Sequence, residues 1–248
     1  MMRNQIRKRF RAISNVIHDL NADILLLQEV HDYASLYFLR HQLKEFPFRA
    51  YHHMLYGPRG GLVIFSKIPF QNRRYYDFIA KGDIYNKSVS GHFSQKGVLS
   101  VLLEKSDLWL INTHLTQNSD HDFSDTNRYT PILTSQLKQI TVHTAGITNR
   151  GEQLILGGDF NMPKLTHFYK DFVEETKLID CFKDDDFTTY HQSFLPTGAS
   201  IGRVDYIFTS PEIKTMKTSY FLQQPLKDEK GNNFFASDHI GLVATCRV

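Results

Sequence analysis

The chain has 248 residues, 41% of them hydrophobic and 22% charged, which is ordinary globular usage and excludes a disordered or low-complexity protein. A formal charge of +3 is too small to diagnose nucleic-acid binding and suits any anionic substrate. The two cysteines, Cys181 and Cys246, lack CxxC spacing, which excludes a zinc cluster or disulfide framework and reads as two reduced core thiols.

In chain order, Ile6, Phe10, Ile13, Ile17 and Leu20 recur at helical steps, so a first helix is expected to run to about Leu20. Its arginines then lie on the solvated face and need no transit-peptide or nucleic-acid role. The segment ADILLLQEV reads as a strand buried on both faces through Ile24–Leu27, stopping at Gln28 and Glu29. A second helix is expected over Tyr33–Leu43. Strands follow at Gly60–Lys67, Lys96–Lys105 and Leu108–Leu115, the last two joined by the short turn Ser106–Asp107 as a hairpin. Helical spacing returns over Pro131–His143, then a strand ends in GGDFN, and a helix covers Leu165–Thr176. Late strands are expected at Arg203–Ser210 and His239–Val248. Alternating helices and strands with interspersed hairpins imply an α/β sandwich with much antiparallel pairing, in a single domain over 1–248.

Polar clusters fall at the strand ends, where α/β sheets place ligands. Glu29 closes a buried apolar strand, and a carboxylate there needs a cation or an arginine partner. LINTHL puts Asn112 and His114 on one strand face. In GGDFN the glycines permit a tight turn and close substrate approach, and Asp159 and Asn161 offer a proton acceptor and an amide donor. Glycine turns with Asx caps are the competing structural reading. Asp205, inside RVDYIF, needs a buried partner, and a histidine is the natural one. SDHIGL supplies Asp238 and His239. No GxSxG, GxxxxGK[ST] or HExxH motif is present. The seven residues suit metal-assisted attack of water on a phosphoester.

The ordered set LLLQEV, GGLVIFSK, INTHL, GGDFN, RVDYIF and SDHIGL resembles the endonuclease/exonuclease/phosphatase superfamily, whose fold is that of pancreatic deoxyribonuclease. The resemblance covers about Ile13 to Val248 and implies a four-layer α/β sandwich, two mixed β-sheets flanked by helices. It implies Glu29 as the main Mg²⁺ ligand, with Mn²⁺ an alternative, and Asp238 as a second or water-mediated metal contact. By the same resemblance, His114 would donate to the scissile phosphate and Asp159 would orient or deprotonate water. Asn161 would hold a phosphoryl oxygen, and His239, oriented by Asp205, would stabilise developing charge. The family's opening strand, ending in asparagine, has no counterpart before Glu29. Exposed sheet edges and reduced activity are therefore expected.

The KG-led strand before INTHL is similar to the sphingomyelinase-like branch, with Lys96 and Gly97 either at the phosphate edge or only at a hairpin start. The expected function is thus a Mg-dependent phosphodiesterase acting on a phospholipid headgroup. A DNA or RNA nuclease or end-processing enzyme is the alternative, and a non-catalytic binding protein a second one. With no apolar run near the roughly 20 residues that span a bilayer, no transmembrane segment is expected, and neither is a signal peptide. A cytoplasmic monomer with peripheral membrane contact is the resulting expectation.

Overall fold

A computed structural model of the chain describes residues 2–81, 95–195, 201–228 and 230–248. Helix α1 (Met2–Leu20) follows the apolar stripe: Ile17 is buried, Phe10 and Ile13 pack beside it, and Ile6 stays exposed. Helix α2 (Tyr33–Gln42) starts at Asp32, whose carboxylate accepts the Ser35 N–H at 2.8 Å and so satisfies one orphan donor of the first turn. Both helices cover a small antiparallel sheet, ordered β1-β3-β2, of β1 (Ile24–Leu27), β2 (Phe48–Ala50) and β3 (Val63–Ser66). Their shared core joins Ile17, Leu36 and Leu39 to Leu25, Val63 and Phe65.

A larger sheet lies beneath. It runs β4 (Phe70–Asp77), β5 (Gly97–Leu103), β6 (Leu108–His114), β7 (Gln153–Asp159), β9 (Asp205–Thr209), β8 (Ile179–Asp180). Among the described residues only β6 and β7 pair in parallel, and their crossover carries helix α3 (Thr130–Thr148). Helix α4 (His167–Thr176) joins α3 on the outer face, over a core that includes Trp109, Ile111, Leu137, Leu156, Phe172 and Phe208. The inner core, between the two sheets, holds Ala50, Leu62, Ile64, Leu99, Val101 and Leu110. The layers are therefore α/β/β/α, as the resemblance implies.

The second layer also contains β10 (Lys214–Phe221) paired with β13 (Gly241–Arg247), while β11 (Leu226–Lys227) and β12 (Asn233–Phe234) form a separate two-stranded ribbon. Among the described residues β1 and β13 each pair on one side only, so this layer is split into three- and two-stranded pieces. The expected hairpin is present, with Val98 opposite Thr113 across β5 and β6. Several strands are not legible in the residue pattern. β4 and β10 are edge strands with mostly polar, partly exposed side chains, and β2 has three residues. One motif also acts differently from expectation. Gly157 and Gly158 do not form a turn; both lie within β7. A Cβ on Gly157 would meet Leu26 Cδ1 at 2.7 Å, and one on Gly158 would meet the Thr113 carbonyl oxygen at 2.0 Å. The close approach they permit is of one sheet to the other and of β7 to β6.

Candidate active site

Sheet register builds the centre of the site. His114 ends β6 opposite Asp159, which ends β7, and Asp159 lies opposite Asp205, which begins β9. Three polar residues thus form one row across three adjacent strands, and neighbouring strands are only about 4.8 Å apart. His114 Nε2 lies 3.3 Å from Asp159 Oδ2, and His239 Nε2 lies 3.9 Å from the same oxygen. His239 Nδ1 is 2.8 Å from Asp205 Oδ2, so the histidine partner expected for Asp205 is His239. His239 arrives just before β13, held by Tyr190, which bridges to it antiparallel, and by the Ile240 N–H donating to the Thr189 carbonyl at 2.7 Å. The Thr189 hydroxyl accepts from the Val204 and Asp205 N–H groups and fixes the start of β9.

Glu29 follows β1 in a left-handed backbone conformation, φ 61°, unusual for a residue with a Cβ. Gly61, itself at φ 69°, makes this possible: its carbonyl accepts the Val30 N–H, and a Cβ there would meet Glu29 Cα at 3.0 Å. Below it Asn112 clasps the two sheets. Its Nδ2 donates to the Leu27 and Val63 carbonyls, and its Oδ1 accepts from Gln28 Nε2 at 2.7 Å. Asn112 is fully buried, so this clasp sets where β1 ends and Glu29 begins. Among the described residues Glu29 has no hydrogen-bond or ion-pair partner, so the arginine pairing considered for it is not found.

Glu29, His114, Asp159, Asn161, Asp238 and His239 line one cavity of about 180 Å³, whereas Asp205 stands behind the wall and reaches it through His239. Asn161 sits at φ 48°, with its N–H donating to Asp159 Oδ1 and its Nδ2 to the Leu115 carbonyl at 2.9 Å. Lys96 also lines the cavity, its Nζ donating to that same carbonyl at 2.6 Å; of the two readings of Lys96, the site edge is the one observed. His31, Tyr190, Asn118, His121 and Phe123 complete much of the wall and escape sequence reasoning. Only His31 offered a signal, through its position two residues after Glu29. The others lie in irregular segments without periodicity.

The electrostatics are strongly coupled. Burial alone would raise the Asp159 carboxyl, but the His114 hydrogen bond and the charges of His114, His239 and Lys96 outweigh it and hold Asp159 far below the usual carboxylate range. Burial would lower His239, yet Asp205, Asp159 and Asp238 raise it to about 10. Burial, with the Asp159 charge, raises Asp205, and the proton of that couple stays on the imidazole. Burial lowers Lys96 to about 8 against the pull of Asp159 and Glu29. The Tyr190 phenol, which donates to Asp238 Oδ2 at 3.3 Å, is raised by burial and then by Asp238, Glu29 and Asp159.

Two donor sets are available to a cation. Ligand atoms of Asp159, Asp205 and His239 lie within 4.8 Å of one another and could hold a metal. Two of them, however, are bound to each other in the Asp205–His239 couple. The unpartnered Glu29 carboxylate, with Asp238 in the same cavity, supplies hard oxygen donors free of such a competing bond to a histidine and fits a hard divalent cation.

Comparison with known proteins agrees with the fold. A human protein, sphingomyelin phosphodiesterase 2, is 27% identical over 229 residues, covering 88% of this chain. The chain spans about half of that relative's length, 48%. Among solved structures, beta toxin from Staphylococcus aureus superposes with a TM-score of 0.68 at 19% identity, covering 97% of this chain and 92% of that one. Sphingomyelinase C from Streptomyces griseocarneus gives 0.68 at 18%, covering 96% and 91%. A humanized D. rerio TDP2 gives 0.68 at 16%, covering 99% and 93%. At such identities these structures show the fold. The family model described as Endonuclease/Exonuclease/phosphatase family matches residues 4–239, and the chain belongs to that family of phosphoester hydrolases.

Proposed function

We propose that the chain is a divalent-metal-dependent phosphodiesterase whose substrate is the phosphodiester of a sphingomyelin-like phospholipid. The observation that carries the reading is the convergence, in one small cavity, of the His114–Asp159 pair, the Asp205–His239 couple and the unpartnered Glu29. The substrate class rests on the 27%-identical relative, which is named for it.

In this reading Glu29 and Asp238 hold Mg²⁺ or Mn²⁺, which when bound would offset negative charge on the phosphoryl oxygens. Asp159 orients the attacking water: held far below the usual range, it is a poor proton acceptor but a constant, ionised hydrogen-bond acceptor. His114 donates to a phosphoryl oxygen. His239, protonated through neutral pH, faces the charge that develops as the ester bond breaks, and Asp205 fixes its ring and its proton. Asn161 has its amide nitrogen committed to Leu115 and Asp159, so it acts mainly by holding Asp159 in place. The whole unit, residues 1–248, works as a single catalytic domain and as a monomer.

The test is hydrolysis of sphingomyelin, nicked DNA and single-stranded RNA with Mg²⁺ or with EDTA, for the wild type and His239→Ala. Metal-dependent sphingomyelin turnover that falls at least about 100-fold in the variant is expected. Equal rates in the two proteins would overturn the assignment, and turnover confined to nucleic acid would replace the substrate. The Asp205→Asn variant removes the largest charge raising His239. The imidazole then loses its proton at lower pH, so the alkaline limb of the pH–rate profile should move to lower pH.

A further inference from the structure

We propose that the mouth of the cavity docks on a phospholipid bilayer through an apolar turn carrying Leu55 and Tyr56; the inference rests on the lipid reading above. The turn is well defined. The Met54 N–H donates to the Gly57 carbonyl at 3.0 Å, and His53 bridges Pro58 antiparallel. Its two corner positions hold Leu55 and Tyr56, each 79% exposed. Turn corners ordinarily carry glycine, asparagine, aspartate or serine, so two large apolar side chains there contribute nothing to the chain's own core.

The turn is fastened to the site. The Tyr33 N–H donates to the Tyr56 carbonyl at 3.1 Å, and the Tyr33 hydroxyl donates to the Met54 carbonyl at 2.7 Å. Gly57 lies so close to the chain after Glu29 that a Cβ there would meet the His31 carbonyl oxygen at 2.2 Å. His31 itself lines the cavity. A second loop of the same site adds an apolar group: Phe194, packed 6.4 Å from the ring of the cavity-lining Tyr190, is 44% exposed. A single exposed leucine needs no explanation, but exposed apolar side chains on two loops of one site mark a surface that meets something.

The bilayer is the occupant that the site requires. A headgroup phosphodiester lies at the membrane interface, so the cavity reaches it only with its mouth against the lipid, and the rim must then enter that interface. A tyrosine, apolar along the ring and polar at its tip, suits that depth. The small net charge of +3 matches a zwitterionic surface better than a strongly anionic one. No helix among the described residues is long and apolar enough to cross a membrane.

The experiment is co-sedimentation of the full chain with phosphatidylcholine–sphingomyelin vesicles in EDTA, which separates binding from turnover. The wild type should bind, and the Leu55→Ser, Tyr56→Ser double variant should partition at least about tenfold more weakly, a change of about 1.4 kcal/mol. Its Tm and its Mg²⁺-dependent turnover of water-soluble bis(p-nitrophenyl) phosphate should match the wild type. Absence of wild-type binding, equal binding by the variant, or loss of soluble turnover in the variant would each overturn the docking surface. Failure of the wild type to turn over either substrate, with vesicle binding still dependent on the two residues, would sink the phosphodiesterase reading and support the docking surface.

Discussion

Strands β5 and β6 and strands β10 and β13 both form antiparallel pairs, yet they occupy opposite situations. All seven residues of β5 and all seven of β6 are buried, between an inner core and the α3–α4 layer. In β13 no residue is fully buried, and its outer edge has no strand partner among the described residues. The row of His114, Asp159 and Asp205 stands on the first kind of support, at the ends of β6, β7 and β9. His239 and Asp238 stand just before the second kind and are held instead by the segment around Thr189 and Tyr190. The site is thus half fixed by a packed sheet and half by a few loop hydrogen bonds, and the two halves should respond differently to substitution.

The largest effect should come from Gly158→Ala. Its Cβ would meet the Thr113 carbonyl oxygen at 2.0 Å at a φ of 149°, and only a backbone shift between β6 and β7 could relieve the clash. A loss of at least about 4 kcal/mol in urea unfolding, or failure to fold, is expected. Asn112→Ala should follow, at about 2–4 kcal/mol, because it strands the buried Leu27 and Val63 carbonyls of the clasp between the sheets. On the outer face, His143 is pushed down to about 4, first by burial and then by Arg74 and Arg150. The unfolded chain therefore binds a proton between pH 6.5 and about 4 that the folded chain refuses, and stability should fall as pH drops through that window, by at most about 3 kcal/mol. Tm against pH, measured beside His143→Gln, should show the acid loss shrink in the variant. The smallest effect should be Val243→Ala in half-buried β13, under about 1 kcal/mol by the same unfolding assay. A Val243→Ala cost as large as that of Asn112→Ala would erase the contrast between the two supports.

This contrast also explains what could be read from the residues alone. The packed strands announce themselves: LWLINTH and QLILGGD are apolar runs broken only where chemistry intrudes, so His114 and Asp159 stood out. Asp205 could be paired with a histidine because a buried carboxylate needs one. The row across β6, β7 and β9 could not be read, since register between strands more than forty residues apart leaves no local trace. β4, FQNRRYYD, is a polar edge strand and lacks the alternation that marks a half-buried one. Tyr190 belongs to a loop whose only regularity is its pairing with residues 238–240, and nothing in TTYHQ signals that. The glycines of GGDFN suggest a turn they do not make; their use, sheet contact, depends on neighbours far away in sequence.

The proposed metal centre is organised on Glu29 rather than on the bonded Asp205–His239 couple. Isothermal titration of Mn²⁺ into the wild type, Glu29→Ala and Asp205→Asn decides it. One binding site in the wild type, retained in Asp205→Asn and lost in Glu29→Ala, is the predicted result. Undiminished Mn²⁺ binding by Glu29→Ala, with loss in Asp205→Asn, would contradict it.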